Sequence, residues 1–258
     1  MNLFIKIIVC FIAGAGAGIG TGFAGMSAAA VISPMLITFL NVPAYQAVGI
    51  GLASDVLASA ISALTYRKNK NINVKSGLVM MLFVLIFTMV GSLAASYVPE
   101  TTLDDIPVIV TMIMGLRFII KPVMTTKESM AAVPKKTRII RSILGGLVIG
   151  FICGFVGAGG GMMMLIVLTS FLGYELKTAV GTSVFVMAFT ALTGSVSHFA
   201  LDGIHDPTIL ILCILFTLIW ARIAAVIANK VNPKVLNITV GIILIALGLT
   251  ILTVEYII

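Results

Sequence analysis

Apolar residues run along this chain in long blocks rather than in the short alternation of half-buried strands. The blocks fall near 3–24, 27–40, 44–66, 76–97, 106–121, 139–157, 160–172, 177–200, 208–229 and 232–256. A helix needs roughly 20 predominantly apolar residues to cross a bilayer, and most of the blocks are of that order. The pattern predicts an all-α, polytopic integral membrane protein. A membrane β-barrel would show short alternating segments with polar inward positions, and the sequence has none. Two blocks, 27–40 and 160–172, are shorter, and each follows a glycine cluster. That length suits a broken or re-entrant helix better than a full crossing.

The chain also repeats itself. Shifted by 132 residues, its halves align without a gap. Gly14, Gly18 and Gly22 fall on Gly146, Gly150 and Gly154, while Phe23 and Gly25 fall on Phe155 and Gly157. Leu36, Phe39 and Leu40 fall on Leu168, Phe171 and Leu172, and the "AVG" of Ala47–Gly49 falls on that of Ala179–Gly181. The division expected is a first repeat over 1–125, a linker over 126–138 and a second repeat over 139–258.

Charge sets the relative orientation of the two copies. The loop after the third block carries Arg67, Lys68, Lys70 and Lys75. Its counterpart carries Asp202 and Asp206 and no lysine or arginine. Cytoplasmic loops hold the excess of Lys and Arg, so equivalent loops lie on opposite sides and the repeat is inverted. Glu100, Asp104 and Asp105 mark an outside loop. Lys127, Lys135, Lys136, Arg138 and Arg141 mark an inside linker, and Lys230 and Lys234 an inside turn. Each half then has five segments, with both termini outside.

Composition narrows the function classes. The chain has 258 residues, 60% of them hydrophobic and 10% charged, against about 25% charged in soluble domains. The net charge of +7 sits in a few short loops, so it reports orientation and not nucleic-acid binding. Cys10, Cys153 and Cys213 lie in apolar blocks at spacings that suit neither a disulfide framework nor zinc. Two histidines without metal-ligand spacing leave no basis for an enzyme, a metal or another cofactor. Met1 to Gly22 resembles a signal peptide, but its place in the repeat makes it part of the fold.

The glycines carry the main chemical signal. "GTGFAG" at Gly20–Gly25 matches a dinucleotide fingerprint, which requires a strand before it, a helix after it and an acid about 20 positions on. Here the flanks are membrane helix and the next acid is Asp55, so the match is discounted. Gly14, Gly18 and Gly22, with their repeat mates, form a small-residue face of the kind that lets membrane helices approach closely. The clusters "GMSAA" at Gly25–Ala29 and "GAGGG" at Gly157–Gly161 read differently. Unwound backbone at membrane depth survives only inside protein or beside a watery cavity. Each cluster opens a short helix, whose N–H groups and dipole favour an anion. Paired interruptions in inverted halves point to a transporter's binding site; a tight turn between two helices is the plainer alternative.

Polar residues add to this pair of breaks. Asp55 lies near the middle of 44–66, where a charge is expensive and a functional candidate by default. It is a candidate proton carrier, a partner for a cation or arginine, or a carboxyl that holds helices together. Ser59 and Ser62 share its face, and its repeat mate is Met187. Thr182 and Ser183 follow the second "AVG", where their hydroxyls are available to a substrate or to the carbonyls of the preceding turn. His198 lies near an outer end, and Arg117 and Arg222 near cytoplasmic ends within reach of the interface.

The glycine clusters, "ISP" at Ile32–Pro34, "AVGTS" at Ala179–Ser183 and the repeat together resemble the TauE/SafE family. These are sulfite exporters, also called the four-toluene sulfonate uptake permease family, and the resemblance covers nearly the whole chain. It implies transport of sulfite, thiosulfate, sulfoacetate or related organosulfonates across a prokaryotic plasma membrane. Ile166 stands where the first half has Pro34, and the first half lacks both a full glycine run and the Thr-Ser pair. The two half-sites are therefore chemically unequal.

The expectation is a secondary transporter working by alternating access. Gly25, Met26, Ser27 and Ala28, with Gly157, Ala158, Gly159, Gly160 and Gly161, would bind the oxyanion through backbone N–H groups. Thr182 and Ser183 would add hydroxyls, and Asp55 is the candidate for a coupling proton. The expected partners are a small sulfur-containing anion and the lipid bilayer, with room for a homodimer and no role for nucleic acid. The alternative is a passive anion channel of the same fold.

Overall fold

The computed structural model describes residues 3–95, 105–156 and 164–257. The elements are α1 (Leu3–Ala24), α2 (Ala29–Leu40), α3 (Ala44–Lys68), α4 (Val74–Ala95), α5 (Asp105–Ile120), α6 (Lys127–Ala132) and α7 (Lys135–Val156). There follow α8 (Val167–Phe171), a turn wound as π-helix, and α9 (Leu176–Asp202), α10 (Pro207–Lys230) and α11 (Pro233–Ile257). The described residues contain no strand. Among the described residues six helices, α1, α3, α4, α9, α10 and α11, are long and apolar enough to cross a bilayer. The chain is an all-α, polytopic membrane protein.

The small α6 falls in the expected linker and was not anticipated. It is closed by a capping box in which the Ser129 N–H donates to Thr126 Oγ1 and the Thr126 N–H to Ser129 Oγ. The box uses serine where glutamate or glutamine is the usual reciprocal partner.

Lipid chains are as apolar as leucine, so helices in a bilayer associate through close packing rather than hydrophobic gain. The glycine stripes supply that packing. On α1, a Cβ at Gly18 would lie 2.6 Å from the Thr217 carbonyl oxygen and 2.7 Å from the Ala221 nitrogen of α10. On α7, one at Gly150 would lie 2.6 Å from the Val84 carbonyl oxygen of α4. The first helix of each expected half thus seats on the fourth helix of the other. α5 and α11 also cross closely, at Gly115 and Gly241. Large apolar side chains such as Phe4, Leu82, Met89 and Ile211 point outward instead.

α3 and α9 pack antiparallel. Gly49 lies against His198 and Gly181 against Tyr66, with Gly194 against Leu52 between them. Positions 132 apart adopt matching geometry around these helices. α2 stops at Asn41 with φ 50°, and the turn after α8 is made by Gly173 with φ 69°. Asparagine tolerates this left-handed conformation and glycine takes it without cost. The Val42 N–H donates to the Leu36 carbonyl at 3.2 Å, and the Tyr174 N–H to that of Leu168 at 2.9 Å.

Polar contacts sort the loops into two ends. At one end Lys127 Nζ donates to the Lys70 carbonyl, Asn71 Nδ2 to Asn229 Oδ1, and Lys177 Nζ to the carbonyls of Asn229 and Val231. At the other, Lys6 pairs with Asp206, and the His198 ring lies 4.2 Å from that of Tyr45. Burial works against ionisation of Asp206. The Lys6 ammonium and the Ile209 and Thr208 amides nevertheless hold its carboxyl below the ordinary carboxylate range.

Candidate functional site

The interruption between α1 and α2 is built so that its freed backbone groups find partners inside the protein. Gly25 turns the chain with φ 62°, a left-handed conformation that favours glycine. Its N–H donates to the Thr21 carbonyl at 3.0 Å, and Thr21 Oγ1 donates to the Met26 carbonyl at 2.9 Å. Two more donors come from other helices. Tyr66 Oη of α3 donates to the Gly22 carbonyl at 2.9 Å, and Ser183 Oγ of α9 to the Gly25 carbonyl at 2.8 Å. An unpaired polar group at this depth would cost several kcal/mol, so the break is stable only with α3 and α9 packed around it. α2 itself is short: 12 residues reach about 18 Å at 1.5 Å per residue, well under the hydrocarbon thickness.

The opening turn of α2 faces Asp55. This carboxylate is 1% exposed. It accepts from Ser27 Oγ at 2.7 Å and Ser59 Oγ at 2.8 Å, and also from the Ala28 N–H. A carboxyl group therefore already sits at the start of α2, where the helix dipole favours negative charge. Ser59 lies one turn along α3 from Asp55, as its i+4 spacing requires. Ser62, on the same face, is buried with no hydrogen-bond partner for its hydroxyl.

Ser27 and Asp55 open onto a cavity of about 120 Å³, far above the roughly 15 Å³ that admits one water. α4 contributes Thr88, α7 contributes Cys153, and α9 contributes Met187 and Thr190, with Met164 ahead of α8. Sequence reasoning missed these contributors. Only Met187 and Thr190 share one helix, and no local pattern reports which helices converge. Thr88 donates to the Val84 carbonyl at 2.7 Å and Thr190 to that of Met187 at 3.2 Å. Their remaining lone pairs are the only polar features they offer the cavity.

Of the expected binding residues, the structure brings Ser27 and Asp55 together at this cavity. Gly25, Met26 and Ala28 form the break beside it, and Met26 is buried in the core. Thr182 and Ser183 are fully buried and are not among the cavity's lining. Thr182 Oγ1 donates back to the Thr178 carbonyl at 2.7 Å and accepts from the Asn73 N–H, while Ser183 braces the break. Gly157, Ala158, Gly159, Gly160 and Gly161 lie outside the described residues. The flanking Cys153 and Met164 both line the cavity.

A cavity that reaches a buried carboxyl beside an interrupted helix, among helices long and apolar enough to cross a bilayer, is an arrangement that solute carriers use. The chain belongs to the sulfite exporter TauE/SafE family, whose sequence profile matches residues 10–251. Two Bacillus subtilis proteins named probable membrane transporter proteins, YdhB and YunE, are similar to it. YdhB is 23% identical over 84% of this chain and 88% of its own length; YunE is 24% identical over 96% of each. A probable membrane transporter protein of Methanocaldococcus jannaschii is 27% identical over 95% of this chain and 93% of its own. No solved structure matches significantly. The chain is thus a multi-pass membrane protein of a transporter family.

Proposed function

We propose that this protein is a secondary transporter of small sulfur-containing anions, such as sulfite, thiosulfate, sulfoacetate or related organosulfonates. It resides in a prokaryotic plasma membrane and alternates access between two inverted halves. The observation that carries the reading is the cavity at the start of α2, where Ser27 and Asp55 meet an interrupted helix. Family membership supplies the class of cargo.

Three features support the inverted arrangement. α3 and α9, which occupy equivalent places in the repeat, pack antiparallel. The loop holding Lys70 and Asn71 lies at one end of the bundle, while the stretch holding Asp206 lies at the other. The contacts of α1 with α10 and of α7 with α4 exchange under the same operation. By the positive-inside rule the end with Arg67, Lys68, Lys70 and Lys127 faces the cytoplasm, which puts both termini outside. In this reading the second glycine run, 157–161, binds the same cargo. Asp55 carries the coupling proton.

Proteoliposome uptake tests the proposal. At least one of sulfite, thiosulfate and sulfoacetate is expected to accumulate against its gradient when a pH gradient is imposed, with taurine and sulfate as comparisons. Uptake that only ever equilibrates would replace the carrier with a passive channel. No movement of any sulfur anion would remove the cargo class.

A further inference from the structure

The described lining of the cavity holds an acid and no base. Asp55 is the one carboxylate among its described lining residues, which include no lysine, arginine or histidine. From α1–α2 it faces Ser27; from α4, Thr88; from α7, Cys153; from α9, Met187 and Thr190. Of these only the Cys153 thiol titrates, and ionising it would add a second negative charge, never a positive one. A site for anions would ordinarily be lined by Arg, Lys or unpaired amides. Among the described residues, the donors at the start of α2, the Ser27 hydroxyl and the Ala28 N–H, are already engaged by Asp55.

Two negative charges a few ångströms apart in a site of low dielectric exclude one another. An anion that took the donors at the start of α2 would compete with Asp55 for the same hydrogen bonds and be repelled by it. We propose that Asp55 is an internal stand-in for the cargo. Ionised, it fills the donor set and keeps anions out; protonated, it gives up the set and the anion binds in its place. The inference rests on the anion-transport reading above and adds to it how proton and anion are tied together.

The balance is one for one. A proton from water adds to an Asp55 oxygen as the anion arrives, and leaves to water as the anion departs. The empty carrier needs no cargo to satisfy the α2 terminus, because the carboxylate does so. It can reset empty, which makes net symport available and obligatory anion exchange unnecessary.

Thiosulfate binding to the purified full-length protein is the test, because thiosulfate does not titrate between about pH 5 and pH 9 and its own charge stays fixed. Affinity is expected to tighten about tenfold per unit fall in pH over the range in which the empty protein holds Asp55 ionised. Calorimetry in buffers of different ionisation enthalpy should register one proton taken up per anion bound, a measurement that needs no variant. Asp55→Asn, which keeps the shape and loses the charge, should bind with an affinity that no longer depends on pH. That affinity should be close to the wild type's at its acid limit. Thiosulfate binding by wild type without pH dependence or proton uptake overturns the exchange while leaving the anion reading intact. So does a folded Asp55→Asn protein that fails to bind at any pH. Dependence on sodium at fixed pH, in place of pH dependence, overturns the proton as the partner. If neither protein binds thiosulfate, sulfite or sulfoacetate at any pH, the anion reading falls too.

Discussion

Asp55 and Met187 stand 132 residues apart, at equivalent places in α3 and α9, and both reach the same cavity. On the α3 side the acid is held by Ser27 and Ser59. On the α9 side the position matching Ser59 is Ala191, and Met187 presents a thioether. The backbone frame around them is closely matched, down to the left-handed residue that ends each short helix. Matched positions therefore line one container, with one wall acidic and the other soft and apolar. A site with an acid on each wall would face two mutually repelling carboxylates; with none it would have nothing to protonate. In the mechanism proposed above, one acid ties transport to a single proton.

The comparison can be broken most severely by making the walls alike. Asp55→Met is expected to abolish proton-driven accumulation, lowering it by about 100-fold or more, the range of a lost essential protonatable group; proteoliposome uptake measures this. Next come the two glycine seams. Gly18→Leu on α1 and Gly150→Leu on α7 should each lower stability by about 1–3 kcal/mol or more through overpacking, and by similar amounts if the seams are equivalent. Thermal unfolding in detergent checks both.

A smaller effect tests the bracing of the break. Ser183→Ala leaves the Gly25 carbonyl without its side-chain donor and should cost about 1–3 kcal/mol, with faster hydrogen exchange at the start of α2. Asp206→Ala removes an N-cap and the partner of Lys6, a loss of about 1 kcal/mol. Because the folded protein holds Asp206 below its ordinary range, its contribution is present above the normal carboxylate pKa. It fades as pH falls through the lowered value, so the gap in melting temperature between wild type and variant should close on acidification. The smallest effect belongs to Gly173→Asn. There is open space around Gly173, and asparagine already serves at the matching Asn41, so a change of only a few tenths of a kcal/mol is expected.

Much of the fold was legible because membrane helices announce themselves one at a time. The first apolar block, 3–24, coincides with α1, and 27–40 shortens only to 29–40. Periodicity alone placed Ser59 against Asp55, and the glycine stripes face the helices they pack on. The site was less legible. Nothing local says that Ser183 will donate to a carbonyl 158 positions away, or that Tyr66 will reach Gly22. Such contacts depend on how far each helix is rotated about its axis when it docks. The same hidden rotation brought Thr88 and Thr190 to the cavity, whereas the bond of Thr182 back to its own helix is local and was one of the two outcomes expected.

The crossed seating of α1 on α10 has a consequence for how the protein is made. During synthesis α1 enters the membrane before the surface that receives Gly14, Gly18 and Gly22 is translated. Its glycine face must wait in lipid, or in the insertion machinery, through the arrival of every helix up to α10. The second seam closes early by contrast, because α7 finds α4 already present. α10 therefore closes this seam by capturing a helix made well before it. A nascent chain stopped before α10 should expose α1 to crosslinking that the finished protein resists.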